Sequence, residues 1–296
     1  MTYGKFGKFV GSLLKEHPKL WVNPMSVHSI FRALTGSLRV IPNFIIIGAA
    51  KCGTTSLYNF MTQHPNIYPG LWKEINFFDR YFTRESQWYR ANFPTKFYKS
   101  LINFKNKKFI TGEATPTYIH HPLVPQRIFE TIPGVKLIVL LRNPIDRAYS
   151  HHQMEVSLGF EDLPFEEAIN REPERLEGEK EKMLEDHNYF SYKRQMYSYL
   201  SSGIYVEQLR LWMKIFSKDK FLIIKTEDLA EKPKEILKQV FTFLDLQPYE
   251  LPNYEKFNLG KYSDITEQVR KQLINYYKPH NAELYKFLGR NFNWDC

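Results

Sequence analysis

Cysteine is nearly absent from this chain of 296 residues, which has only two. Cys52 and Cys296 cannot build a disulfide framework, so nothing in the sequence demands an oxidising compartment. Long apolar runs are missing as well. The longest, Phe44 to Ala50, falls far short of the roughly 20 residues needed to span a bilayer. The N-terminal stretch is interrupted by Lys5, Lys8, Lys15 and Glu16, which leaves no signal-peptide core. Internal repeats and low-complexity linkers are also lacking. Together these gaps predict a soluble, cytoplasmic protein without membrane insertion.

Acidic residues are in short supply, 32 against 41 Lys and Arg, for a formal charge of +9. The deficit is uneven. Between Glu161 and Asp186 there are 11 acidic and 4 basic residues, leaving 37 basic against 21 acidic elsewhere. That surplus suits an anionic ligand, whether a nucleotide, a sulfated or phosphorylated molecule, or a nucleic acid. It suits plain Lys-rich solubility equally well. The acidic run reads as a solvated face of a helix-rich stretch. With 25% charged and 43% apolar residues the chain is neither disordered nor collagen-like, and its length lets one large domain bury a full core.

Three apolar runs read as buried strands: Asn43 to Gly48, Val135 to Leu141 and Phe221 to Lys225. Phe109 to Gly112 is a shorter candidate. Helical patterns follow the first run through Leu57, Phe60 and Met61, and the second from Pro144. They dominate from Phe165 to Phe216 and close the chain near Lys234–Leu244 and Thr266–Tyr277. Continuous apolar strands alternating with helices predict an α/β fold, a single domain with a central, mostly parallel β-sheet flanked by helices. The expected division is an N-terminal arm or short helices over 1–41 and the domain proper over 42–296.

Between the first strand and its helix lies Gly48-Ala49-Ala50-Lys51-Cys52-Gly53-Thr54-Thr55. The two glycines have the spacing of a nucleoside-triphosphate loop, whose backbone amides cradle an anion at a helix N-terminus, giving a P-loop-like nucleotide-binding core. The lysine is displaced, however. Thr54 stands where that motif has Lys, and Lys51 lies two residues before the second glycine. The second strand ends in Arg142 rather than in the Asp that helps to hold Mg²⁺ in triphosphate enzymes. A guanidinium there offers a fork for a second anion. A phosphate loop plus a strand-end arginine describes a doubly anionic nucleotide bound without metal.

At these residues the sequence resembles the sulfotransferases that use 3′-phosphoadenosine 5′-phosphosulfate (PAPS). The resemblance rests on IIIGAAKCGTTSLYNF, KEINFFD and LLRNPIDRAYSHHQ, with SGIYVEQLRLWMKIF and FLIIKTEDL behind them, and runs from about Pro42 to the C-terminus. It is nearest to the branch holding the heparan-sulfate sulfotransferase domains and many bacterial small-molecule enzymes. The resemblance implies that Lys51, Cys52, Gly53, Thr54, Thr55 and Ser56 form the 5′-phosphosulfate loop. Lys51 would lie beside the bridging oxygen that becomes the leaving group. Arg142 and Ser150 match the 3′-phosphate motif, and Glu74 the general base. Gly260, Lys261 and Tyr262 look like a shortened form of the loop that closes over the nucleotide. Gly112 to Pro116 resembles a segment lining the acceptor cleft, so Thr115 and His121 join Lys73 and His151 as candidate acceptor contacts. Relatives often carry Lys where Ala114 stands here, which argues against a glycosaminoglycan acceptor and for a small molecule.

The implied activity is transfer of a sulfuryl group from PAPS to a hydroxyl, or an amine, of a small-molecule acceptor, releasing the 3′,5′-bisphosphate PAP. The paired histidines His120-His121 and His151-His152 lack the companions of a metal site, and sulfuryl transfer needs no metal. Two alternatives stand beside this reading. A P-loop kinase using ATP and Mg²⁺ is opposed by the lysine placement and Arg142. A non-catalytic polyanion-binding protein is opposed by the lack of any helix-turn-helix, zinc-finger or RNA-recognition signature, so no nucleic-acid partner is expected. Oligomeric state and acceptor identity are not legible.

Overall fold

The computed structural model describes residues 32–105, 107–254 and 264–294. The described chain divides into two compact units interleaved in sequence. A sheet unit holds residues 32–142 and 208–254, and a helical unit holds 143–207 and 264–294.

In chain order the sheet unit opens with β1 (Phe44–Gly48), α1 (Thr54–Met61), α2 (Ser86–Arg90) and α3 (Lys96–Phe104). It continues with β2 (Gly112–Ala114), α4 (Val124–Thr131) and β3 (Lys136–Leu141). The helical unit then contributes α5 (Pro144–Leu158), α6 (Phe165–Asn170), α7 (Glu172–Leu176), α8 (Glu179–Glu185) and α9 (Tyr192–Tyr197). Helix α10 (Tyr205–Met213) spans the boundary. The sheet unit resumes with β4 (Phe221–Lys225), α11 (Thr226–Glu231) and α12 (Pro233–Phe243), and α13 (Glu267–Leu288) belongs to the helical unit.

The four strands form one parallel sheet in the order β2-β1-β3-β4. Every residue of β1 is buried, as are the last five of β3. That explains why these strands read as unbroken aliphatic runs, because both faces are covered. Helix α1 packs on β1 and β2, and α11 and α12 pack on β4. The α/β class with a parallel sheet flanked by helices is what the sequence predicts. The second strand falls later than expected, at Gly112–Ala114 instead of Phe109–Gly112. Ile110 bridges to Ile67 instead, and only at Gly112 does the chain run flush against β1, so close that a Cβ would lie 2.5 Å from the Phe44 ring.

The helical unit has its own core, in which Ile145, Ala148, Phe165 and Ile169 meet Tyr199, Val269, Leu273 and Tyr277. Helix α5 starts at Asn143, whose side chain accepts from the Ile145 amide, with Pro144 at the first position. Helix α13 runs past the expected end at Tyr277. Pro279 removes one backbone donor, but Tyr277, Asn281 and Leu284 keep the same face buried on either side of it, and the helix ends only at Gly289 in the left-handed conformation.

Most of the acidic run is the solvated face that its composition predicts, with Asp162, Glu166, Glu167, Glu174, Glu177, Glu181, Glu185 and Asp186 exposed, but three of its carboxylates turn inward. Glu161, Glu172 and Glu179 are buried in the helical unit. Glu161 takes a two-pronged contact from Arg175 and a 2.9 Å bond from the Tyr199 hydroxyl. Glu172 accepts from the amides of Leu200 and Ser201. Glu179 accepts from Ser191, Tyr189 and Lys182. These carboxylates stitch short helices together where apolar residues are few.

Candidate active site

The carboxyl ends of parallel strands are where α/β sheets bind ligands, because the following helices begin there. In the sheet unit three sequence-distant segments meet at this edge. The first is the loop from Gly48 to Gly53. Gly48 passes so close to Ile119 and to the Pro116 carbonyl that a Cβ would clash at 2.5 and 2.9 Å. Lys51 and Gly53 adopt left-handed backbone, φ 69° and 81°, which turns the chain sharply into α1. Leu57 donates the first helical bond of α1, to the Gly53 carbonyl. The amides of Thr54, Thr55 and Ser56 therefore belong to the opening turn, where a helix presents donors and a partial positive charge. Cys52 is fully buried beneath the loop. Its amide donates to the Ala49 carbonyl, and its own carbonyl accepts from Thr226 at 2.8 Å.

The second segment is the end of β3. Arg142 sets its Nη1 3.3 Å from the Lys51 carbonyl, so the strand-end guanidinium and the loop are brought together. The third is 73–79. The Glu74 amide donates to the Ala114 carbonyl at 2.9 Å, and the Thr115 amide donates to the Ile46 carbonyl at 3.0 Å. These bonds tie Glu74 through β2 to β1, immediately before the loop. The Glu74 side chain is 49% exposed and paired with Lys73. A half-exposed carboxylate is chemically able to take a proton from a group that approaches it.

Below Glu74 lies a buried polar cluster that the sequence reading missed. Glu113 is fully buried and accepts from the Tyr89 hydroxyl at 2.6 Å and from Thr115 at 2.7 Å. Burial pushes its carboxyl up to about 7, against the opposing pull of those hydroxyls. Asp79 is raised by burial too, while Thr117 and Asn76 bond to it and counter the shift. The Tyr118 hydroxyl accepts from the amides of Phe77 and Phe78, which fixes the turn after Glu74. No sequence spacing signals this cluster, because its members come from three separate segments.

The remaining predicted residues are placed as follows. Thr115 is fully buried and committed to Glu113, so it presents no surface to an acceptor and acts as a support. His121 is buried, with its Nδ1 accepting from the Leu123 amide. Ser150 and His151 are buried on α5 in the helical unit, where His151 bonds the Gln195 carbonyl and lies 3.4 Å from Glu155. Gly260, Lys261 and Tyr262 lie outside the described residues. Among the described residues no group of three or more His, Cys, Asp or Glu side chains is arranged to hold a metal.

The profile of one protein family, described as the sulfotransferase domain, matches residues 42–281, across both compact units. The chain belongs to that family. The membrane-associated sulfotransferase kil1 of Dictyostelium discoideum is 29% identical over 324 residues, covering 88% of this chain and 68% of the relative. Heparan sulfate glucosamine 3-O-sulfotransferase 3B1 of Mus musculus is 28% identical, covering 96% and 72%. The bifunctional heparan sulfate N-deacetylase/N-sulfotransferase 1 of Caenorhabditis elegans is 26% identical over 93% of this chain, which spans only a third of that protein's length. A sulfotransferase from Alicyclobacillus acidocaldarius has the same fold, with a TM-score of 0.67 and 25% identity over 87% of this chain and all of that one.

Sulfuryl transfer thus takes precedence over the kinase and the non-catalytic readings. The cytoplasmic placement does not stand, since a relative matched over most of its length is membrane-associated by name. That expectation rested on the lack of an apolar span, which fixes no compartment. Among the described residues no helix is long and apolar enough to cross a membrane.

Proposed function

We propose that the sulfotransferase domain takes PAPS as donor and transfers its sulfuryl group to a hydroxyl or amine of a small acceptor, with Glu74 as general base and Lys51 at the leaving group. The observation that carries this reading is the meeting of the Gly48–Gly53 loop with Arg142 at 3.3 Å. Two anion-binding elements at one strand edge fit a nucleotide with phosphate groups on both sides of its ribose. The cradle is shaped for backbone approach, since a side chain at Gly48 has no room.

The donor, when bound, supplies an activated sulfur with a phosphate leaving group. Thr54, Thr55, Ser56 and the first amides of α1 would hold the 5′-phosphate and Arg142 the 3′-phosphate, a role assigned also to Ser150 by resemblance alone. Glu74 takes the proton from the acceptor as the new O–S or N–S bond forms. The Lys51 ammonium would lie at the donor oxygen that becomes the leaving group and would offset the charge that develops there. Gly260, Lys261 and Tyr262 are assigned to closure over the nucleotide by resemblance alone.

For the acceptor, the reading of a small molecule rests on the resemblance alone, since Ala114 is fully buried in β2. The names of the mouse and Caenorhabditis relatives support a second reading, a glucosamine-containing saccharide. The test is thermal unfolding with PAP, and with ATP with and without Mg²⁺, followed by turnover of PAPS on small hydroxyl and amine acceptors and on heparan-type oligosaccharides. At about a hundred times its dissociation constant PAP stabilises by roughly 2.7 kcal/mol, a shift of several degrees. Arg142→Ala is expected to reduce that shift. Stabilisation by ATP with Mg²⁺ and none by PAP would overturn the donor assignment.

A further inference from the structure

A cavity of about 840 Å³ opens at the amino ends of the strands, the edge of the sheet opposite the donor loop. Pro42 and Asn43 ahead of β1, Ile110 ahead of β2, and Val135 with Lys136 at the start of β3 all line it. A strand of five or six residues separates this edge from the loop by roughly 17–20 Å. The floor is apolar, with Val40, Ile110 and Val135 among its residues. The walls are basic, for Arg39, Arg90, Lys96, Lys99, Lys108 and Lys136 line the cavity against the single acid Asp245. Lys136 is paired with Asp245, and Arg39 bonds the Phe93 carbonyl. No acidic side chain among the described residues pairs with Arg90, Lys96 or Lys99.

Lys96 and Lys99 come from α3, and this helix is unusual in having no buried residue. Phe97, Leu101 and Phe104 are spaced i, i+4 and i+7, which places them on one face. Phe97 is 78% exposed and Phe104 87%, with Leu101 also open to solvent. Leu38 extends the apolar surface, since the next residue, Arg39, bridges to Thr95, the N-cap of α3. A helix normally buries such a face against its own core. Here it is turned outward, bordered by lysines.

We propose that α3 and the basic cavity beside it form a docking surface for an anionic phospholipid bilayer. Phe97, Leu101 and Phe104 would enter the interfacial layer, while Arg90, Lys96 and Lys99 meet lipid phosphates and carboxylates. Charge decides the occupant. The chain's own first 31 residues, with four lysines and one glutamate, carry the same sign as the cavity and offer it no charge complementarity. A soluble polyanion would satisfy the cations but leave the aromatic face in water. A bilayer with acidic headgroups satisfies both. Docking by this edge leaves the donor loop on the far edge of the sheet, open to solution. The inference stands independently of the donor and acceptor assignments.

The experiment is flotation of the full chain with vesicles of phosphatidylcholine alone and of phosphatidylcholine with about a third phosphatidylserine, near physiological salt. Wild type is expected to float with the anionic vesicles and to stay behind with the neutral ones. The double variants Phe97→Ser/Phe104→Ser and Lys96→Glu/Lys99→Glu should each weaken binding about tenfold or more. All four side chains lie on the outer helix α3, so unchanged thermal unfolding checks that the fold is kept. Lys278→Glu/Lys286→Glu, an equal charge change on α13, should bind like wild type, which separates a local surface from net charge. Failure of wild type to float, equal loss in the α13 variant, or heparin binding without vesicle binding would overturn the proposal.

Discussion

Glu113 in the sheet unit and Glu161 in the helical unit are both sealed from solvent, yet they titrate in opposite directions. Burial raises Glu113 to about 7, and its partners are the neutral hydroxyls of Tyr89 and Thr115. Burial would raise Glu161 too, but the Arg175 guanidinium, the Leu163 amide and the Tyr199 hydroxyl together bring it below the ordinary carboxylate value. Glu172, held by two backbone amides, is raised like Glu113 although it lies in the helical unit. Burial is therefore common to all three. What sets Glu161 apart is that a cation touches its carboxylate, adding a full charge to the hydrogen bonds that favour the ionised form. Glu74 completes the contrast as an exposed carboxylate beside a lysine, suited to exchanging a proton with a ligand rather than to holding helices together.

The contrast is broken most directly at Glu74. Glu74→Gln is expected to lower turnover on the true acceptor by about 10²–10⁴, equivalent to roughly 3–5 kcal/mol in the barrier, and to leave the unfolding temperature unchanged. Full activity in that variant would remove Glu74 as the base. Glu161→Ala should do the reverse. Removing one partner of a buried pair leaves Arg175 and Tyr199 unmatched, at a cost of about 3 kcal/mol and an unfolding temperature lower by roughly 6–12 °C. Any surviving folded enzyme should keep its PAP-dependent stabilisation.

Glu113 gives a pH test with a definite sign. Its native form holds the proton more tightly than the unfolded chain, whose carboxyl titrates near the ordinary 4.5. The stabilisation is complete below about 4.5 and is lost as pH rises through about 7, a change on the order of 3 kcal/mol. Glu113→Gln should flatten the stability profile across that window. Glu161 works the other way. Its contribution is present above the ordinary carboxylate value and is lost as pH falls through its depressed one. An unchanged slope between pH 4.5 and 7 in Glu113→Gln would show that the buried carboxyl does not hold its proton.

Much of the sheet unit is legible in the sequence because β1 and β3 are buried on both faces and β4 keeps the same apolar run while half-buried. Phe44–Gly48, Lys136–Leu141 and Phe221–Lys225 are continuous apolar runs with little ambiguity of period. The turn of the Gly48–Gly53 loop into α1 is legible because two glycines at fixed spacing have a conformational cause. The role proposed for Glu74 rests on resemblance, since a lone exposed acid carries no local signal. The buried cluster of Glu113, Asp79, Tyr89 and Tyr118 was not legible, as its hydrogen bonds join residues up to 41 positions apart. The three buried members of the acidic run, Glu161, Glu172 and Glu179, were not legible for a related reason. Composition reports eleven carboxylates but not which of them a guanidinium, a hydroxyl or an amide will draw inward. The outward aromatic face of α3 has the same origin, because periodicity identifies a face without saying what covers it.

Ser191 sharpens the comparison at its smallest scale. The residue is buried, and its hydroxyl serves two carboxylate-era needs of the helical unit at once, accepting from the Arg194 amide to cap α9 and donating to Glu179 at 2.6 Å. Burial would raise Glu179, and the hydroxyls of Ser191 and Tyr189 with the Lys182 ammonium hold it below its ordinary value. Ser191→Ala removes the cap and one of three donors, for an expected loss of about 1–2 kcal/mol. Ser191→Thr keeps both functions of the hydroxyl and should recover most of the stability. Ser191→Asp keeps the capping acceptor but sets a second carboxylate against Glu179, so it should fall below Ser191→Ala at neutral pH and approach it as the pair is protonated in acid. Equal stability of the Asp and Ala variants at neutral pH would mean that Tyr189 and Lys182 together satisfy Glu179, and that a second carboxylate beside it is tolerated in this unit.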